Sequence, residues 1–200
     1  RWWKDEISSI SNETRKTPNE ILRPLSKIIR KRNIPVSLFL SIINARHFDI
    51  YAQPHKSFEE SIDYITDIFS SLLEIQLRAS SNDPSEDKIF CMRSYGLALG
   101  VANLLVAIPK LREMGKEPIF FERPPGLEKK TMPKNKAQLE KQLLEGIANL
   151  LKVGKFAFDD GIRNRGCLEN EILPILLCCG SVTAVFNKAR KYPNKVLLGK

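Results

Sequence analysis

Paired carboxylates are the groups in this 200-residue chain with the clearest capacity for chemistry. Asp63 and Asp67, in "DYITD", stand four apart, and on a helix that spacing sets both on one face, where they could share a divalent cation. Glu59, Glu60 and Glu74 lie on the same stretch, so the expectation is an outward, solvated acidic face. His47 and His55 are the only histidines, and Cys91, Cys167, Cys178 and Cys179 show no C-x-x-C spacing, so no metal-ligand pattern appears. Cys178 and Cys179 fall in the apolar run "EILPILLCCGSVTAVF" and read as buried free thiols, which suits a reducing compartment. Trp2 and Trp3, followed by Lys4, have the chemistry of a membrane-interface anchor or a stacking platform for a nucleobase. A place in the core of the first helix is the reading preferred for them.

The elements that must position these residues are helical. "TPNEIL" offers Thr17 as N-cap, Pro18 at the first helical position and Glu20 to close a capping box. Ser57 and Glu60 repeat the device in "SFEESI", as do Asp83, Pro84 and Glu86 in "DPSEDK". After Ser57 the apolar residues Phe58, Ile62, Ile65, Ile68, Phe69, Leu72, Leu73 and Leu77 advance by threes and fours. Ile21 to Ile29 do likewise and stop near Asn33-Ile34-Pro35. Further helices are predicted over about 36–47, 86–107, 136–153 and 169–191. The fold class is all-α, in a single domain over 1–200, interrupted by an irregular basic connection at 116–135.

Charge divides the chain. The net +9 splits into about +5 over 1–33, −4 over 34–109, +5 over 110–155 and +3 thereafter. A partitioned basic surface suits an acidic partner: RNA, an anionic membrane or an acidic protein face. Lys129, Lys130, Lys134 and Lys136 are the candidate partner contacts. No apolar run is long enough to promise a transmembrane helix; 172–186 comes nearest and holds Pro174 and Gly180. No signal peptide is visible, and Arg1 is no natural start, so the chain is read as continuing upstream.

"RWWKDEI", "PLSKIIRKRNIP", "LSIINARHFDIY", "SFEESIDYITDIFSSLLEIQL" and "SYGLALGVANLLVAIP", in that order, resemble the squalene/phytoene synthase superfamily. More closely, they are similar to its non-catalytic mitochondrial branch, the complex I assembly factors built on that fold. The likeness covers about residues 1–120 and fades after Phe121. The resemblance implies an isoprenoid-synthase-like helical bundle. The enzymes ionise a prenyl diphosphate through Mg²⁺ held by carboxylates, the second pair following a G-x-A-x-Q-x-x-N region as N-x-x-R-D-x-x-x-D. Here Asn103 remains, Val106 replaces the Arg, Ala107 and Leu111 replace the two Asp, and Pro109 between them should disturb the helix turn. The enzymes' first acidic motif would fall upstream of Arg1.

A second departure agrees. Where the enzymes carry a small-residue "Tyr-x-x-x-Val-Ala-Gly" helix against which the prenyl chain lies, this chain keeps Tyr64 but sets Phe69 and Leu73 at the small positions. Tyr64, Phe69, Leu73 and Asn103 thus mark a former substrate pocket, and the bulky pair should fill it. The expectation is a pseudoenzyme, with no catalytic residue, no metal and no cofactor. The resemblance further implies the mitochondrial matrix, peripheral to the inner membrane, and a role in assembling a large complex, respiratory complex I first. The alternatives are a component or maturation factor of another mitochondrial assembly such as the ribosome, with RNA contact, and a prenyl-lipid-binding protein or divergent prenyl transferase.

Overall fold

In the computed structural model, which describes residues 2–10, 19–51, 55, 57–114, 136–168, 170 and 172–198, the described residues form helices joined by turns, without strands. Helix α1 spans Trp2–Ser9, α2 Leu22–Lys31 and α3 Val36–Tyr51. Helix α4 (Phe58–Ile65) runs through a π-helical turn, Thr66–Ser70, into α5 (Ser71–Ser80). Helices α6 (Glu86–Glu113) and α7 (Lys136–Asn164) form the centre. Short 3₁₀ turns at Arg165–Cys167 and Leu173–Cys179 lead to α8 (Val182–Lys191) and α9 (Pro193–Leu198).

Local chemistry sets most of the starts and stops. The Ser57 hydroxyl accepts from the Glu60 amide at 3.1 Å, so α4 begins where its capping box predicts. The other two starts differ. Helix α2 begins at Leu22, with the Asn19 side chain accepting from the amides of Ile21 (2.8 Å) and Leu22 (3.2 Å). Thr17 and Pro18 lie outside the described residues. Before α6, Asp83 adopts a left-handed turn (φ 48°) and Ser85 takes the cap position. Helix α2 ends through Asn33, also left-handed at φ 48°, as the Ile34 amide reaches back to the Ile29 carbonyl at 3.0 Å.

The long helices exceed their predicted lengths. Pro109 lacks an amide to offer the Leu105 carbonyl, yet α6 continues through it to Glu113, with Leu105 and Ile108 just before it held in the core. The expected disturbance does not end the helix. Helix α7 runs on past 153 to Asn164. The single helix expected over 169–191 is broken: Pro174 opens a 3₁₀ turn and Gly180 separates it from α8.

The main core gathers on α6. Ile89, Met92, Ala98, Val101 and Leu105 are buried against Leu143, Ile147 and Leu150 of α7 and Ile65, Leu73 and Leu77 of α4–α5. Helices α6 and α7 are antiparallel: the Cys91 thiol donates to the Gly161 carbonyl (3.4 Å), while Gly154 lies beside Val101. Helix α6 is also long and apolar enough to cross a membrane, where the sequence had pointed to 172–186, but most of that stretch is buried inside the bundle. A smaller cluster of Ile7, Ile10, Leu22 and Ile29 joins α1 and α2 to α3. Trp2 and Trp3 take no part in it: they are 48% and 43% exposed and pack edge-on against each other, which corrects the core reading.

Candidate functional site

The residues singled out in the sequence lie along two helices that cross closely. Gly96, Gly100, Asn103, Ala107 and Leu111 recur at helical spacing along one side of α6, and the π turn passes over the upper part of that side. The approach is backbone to backbone: a Cβ at Gly96 would lie 2.5 Å from the Ser70 Cα and 2.6 Å from the Phe69 carbonyl oxygen. The Ser70 hydroxyl fastens the crossing by donating to the Arg93 carbonyl at 2.8 Å. A π turn admits one extra residue per turn and shifts the phase of the helix, which here brings Ser70 and Phe69 onto the two glycines of α6.

Phe69 is half-buried over Gly100, where a Cβ would come within 2.7 Å of its ring and 2.2 Å of the Ile65 side chain. Gly100 occupies the position of Gln in the G-x-A-x-Q-x-x-N pattern. The polar side chain is thus gone at the place where two apolar ones fill the space. The sequence offers Gly100 and Phe69 separately, and only the crossing shows that the two meet. Leu73 is fully buried one turn further along.

Asn103 is not gathered with them. It is exposed, and its amide donates to the Leu99 carbonyl of its own helix at 2.9 Å. Ala107 and Leu111, each half-buried, continue the line and contribute no donor atom. A magnesium ion needs hard oxygen ligands, and this side of α6 presents a single amide already turned to its own backbone; the residues present do not fit the metal. Among the described residues no three His, Cys, Asp or Glu side chains converge as a metal site would require.

Tyr64 belongs to a polar cluster. Its hydroxyl donates to Asp49 Oδ1 at 2.8 Å and accepts from Arg46 at 3.4 Å, Arg46 and Asp49 pair at 3.1 Å, and the His55 ring stands edge-on at 5.1 Å. Burial, then the bond to Asp49, pushes the phenol up to about 12, so it acts as a neutral donor that orients Asp49. Burial holds the His55 imidazole below its usual value, against the pull of Glu60 and Asp49. Asp63 and Asp67 are both exposed; partial burial and the neighbouring Asp63 carboxylate raise Asp67, with Arg93 opposing. They form a solvated acidic face near the Arg93 guanidinium.

The thiols divide. Cys91 and Cys179 are buried, which pushes both up to about 12, and neither is a ready nucleophile. Cys178, expected to be buried, is exposed at the end of its 3₁₀ turn. Lys129, Lys130 and Lys134 lie outside the described residues, as does the side chain of Lys136 at the first position of α7.

Sequence reasoning also missed a groove of about 760 Å³ between the π turn, α6 and α7, floored by Ile89, Leu97, Val153 and Ala157. Its signal, Phe90 and Phe156 on the outer sides of two helices, is invisible without knowing which faces are outer.

Comparison with known proteins agrees with this architecture. The squalene/phytoene synthase family model matches residues 1–119. The NADH dehydrogenase (ubiquinone) complex I assembly factor 6 homolog of Dictyostelium discoideum is 24% identical over 192 residues. That match takes in 95% of this chain but 53% of the relative, so the chain spans about half its length. Squalene synthase HpnC of Alicyclobacillus acidocaldarius superposes with a TM-score of 0.73 at 18% identity, over 95% of this chain and 72% of that one, a likeness of fold. With more than half of its residues matched by the family model and that fold reproduced around α6, the chain belongs to the squalene/phytoene synthase family.

Proposed function

We propose that this chain is a non-catalytic member of its family that serves the assembly of respiratory complex I in mitochondria through protein contacts. The observation that carries the proposal is the line Asn103–Ala107–Leu111, which offers no carboxylate to a metal, beside a crossing whose space is taken by Phe69 and Ile65. The relative's name, that of a complex I assembly factor, supports the same role at modest identity. Tyr64, Phe69, Leu73 and Asn103 are on this reading remnants of a substrate pocket. Two experiments test it. Purified protein incubated with Mg²⁺ and prenyl diphosphates should form no squalene- or phytoene-like product, and product above a no-protein control would end the reading. Deleting the gene should deplete assembled complex I on native gels while leaving other respiratory complexes in place; unchanged complex I would point to another client.

A second reading, RNA contact within an assembly such as the mitochondrial ribosome, draws on α2. Arg23, Lys27 and Lys31 stand at i, i+4 and i+8 on its exposed side, with no acidic residue between Ile21 and Phe48. Reversing the three to Glu should then reduce association and lower its salt dependence, and nuclease should release the partner. The same logic applies to Lys129, Lys130, Lys134 and Lys136. Loss of association without nuclease sensitivity would instead favour an acidic protein or an anionic face of the inner membrane.

A further inference from the structure

The groove between α6 and α7 is not the pocket of the enzymes' chemistry: Phe69, Leu73, Asn103, Ala107 and Leu111 contribute nothing to its walls. From Glu86 to Leu97 it follows α6 for about 16 Å, three helical turns. Two phenylalanines border it, one on each helix: Phe90 is 52% exposed and Phe156 67%. Large exposed aromatic side chains flanking an apolar floor are costly in water, and they are the residue type that anchors protein interfaces.

The rim is polarised. Because α6 and α7 are antiparallel, Glu86 lies at one end, Asp160 near the level of Cys91 to Tyr95, and Lys152 beyond Leu97 at the other end. Two of the rim charges are already occupied, Asp160 by Arg163 and Arg93 by Glu74 (3.5 Å). Glu86 at one end and Lys152 at the other make no ion pair among the described residues.

We infer that this groove docks one amphipathic α-helix of a partner protein, about three turns long. Its apolar i, i+3/i+4, i+7 side chains lie between Phe90 and Phe156, and its amino end faces Glu86. A helix fits the length: the apolar stripe of three turns runs along a floor of about 16 Å. It also fits the charges, since a helix carries partial positive charge at its amino end and negative at its carboxyl end, matching Glu86 and Lys152. An acyl lipid would match the floor and its anionic head could meet Lys152, but it would leave Glu86 at the other end unanswered. The inference rests on the proposed role only for the existence of a protein partner, whatever complex that partner belongs to.

The test replaces Phe156 with the photo-crosslinking residue benzoylphenylalanine in the full chain expressed in its own cells, with the same residue at exposed Lys141 as control. The expected adduct at 156 maps to a partner segment with an apolar i, i+3/i+4 pattern, and Phe156→Glu or Phe90→Glu, with helicity by circular dichroism retained, weakens that association at least about tenfold. No adduct at 156 above the control, an adduct with lipid, or one with a segment lacking an apolar face would overturn the inference. So would unchanged association of both Glu variants. Failure of the complex I reading shows separately: the adduct would then still be an apolar-faced helix, but of a protein from another assembly.

Discussion

Along α6, the turns at Gly96 and Gly100 and the adjoining face at Phe90 and Leu97 meet their neighbours in contrasting ways. At the glycines the π turn presses its backbone against the helix, and Phe69 and Ile65 take up what room a side chain at 100 would need. Beside Phe90 and Leu97 the space between α7 and the π turn is left open as a groove. Small residues let helix backbones approach until no cavity is left, whereas large ones at a rim keep a surface that a partner can fill. The closed side is where the family's enzymes ask for carboxylates and room for a long apolar substrate; the open side has neither history. On the proposed reading, a molecule with its crossing filled on one side and an apolar groove left open on another is equipped to hold a protein.

The largest effect that could break this contrast lies at Gly96. The atoms met by an added Cβ are backbone atoms of Ser70 and Phe69, which cannot move aside as side chains can. Gly96→Val should cost about 3 kcal/mol or more, lowering the melting temperature by roughly 6 °C or more for a domain of this size. A melt indistinguishable from the parent would show that the crossing is looser than described.

At Gly100 the obstacles are side chains, so the cost can be traded. Gly100→Ala alone should destabilise by about 1–3 kcal/mol, and Phe69→Ala alone by about 2 kcal/mol through the lost ring. Together they should cost less than their sum by about 1 kcal/mol, since the methyl group enters space the ring has left. Denaturant titration of the four proteins measures the coupling, and strict additivity would mean that Phe69 does not fill the space beside residue 100.

The polar cluster at Tyr64 gives a smaller, pH-dependent effect. Its phenol is raised to about 12 in the fold against about 10 unfolded, so below pH 10 both states keep the proton and its contribution is whole. Between pH 10 and 12 the unfolded tyrosine ionises first, and stability falls as pH rises. Tyr64→Phe should flatten that part of the alkaline stability profile; an unaltered slope would place the titration elsewhere.

The smallest expected change sharpens the comparison from its open side. Phe156→Ser removes a ring that is mostly in water and should shift stability by no more than about 0.5 kcal/mol. A loss of several kcal/mol would make Phe156 a core residue and close the groove.

Local sequence was enough to give the all-α class, the Ser57 cap of α4, the end of α2 at Asn33 and the absence of a carboxylate at positions 107 and 111, because hydrogen bonds within one turn and the identity of a side chain need no distant partner. Helix lengths were less legible. Pro109 is an interior breaker by its own chemistry, yet α6 passes it because burial of Leu105 and Ile108 outweighs one missing hydrogen bond. Exposure was less legible still, as the outward Trp2 and Trp3 and the divided pair Cys178 and Cys179 show: an apolar run states which residues prefer burial, but not how many a finite core can cover. Spatial pairing was decided by the tertiary structure alone. That Phe69 stands over Gly100, thirty-one residues away, and that Phe90 and Phe156 border one groove follow from how helices cross, a property of packed surfaces that no single stretch of the chain encodes.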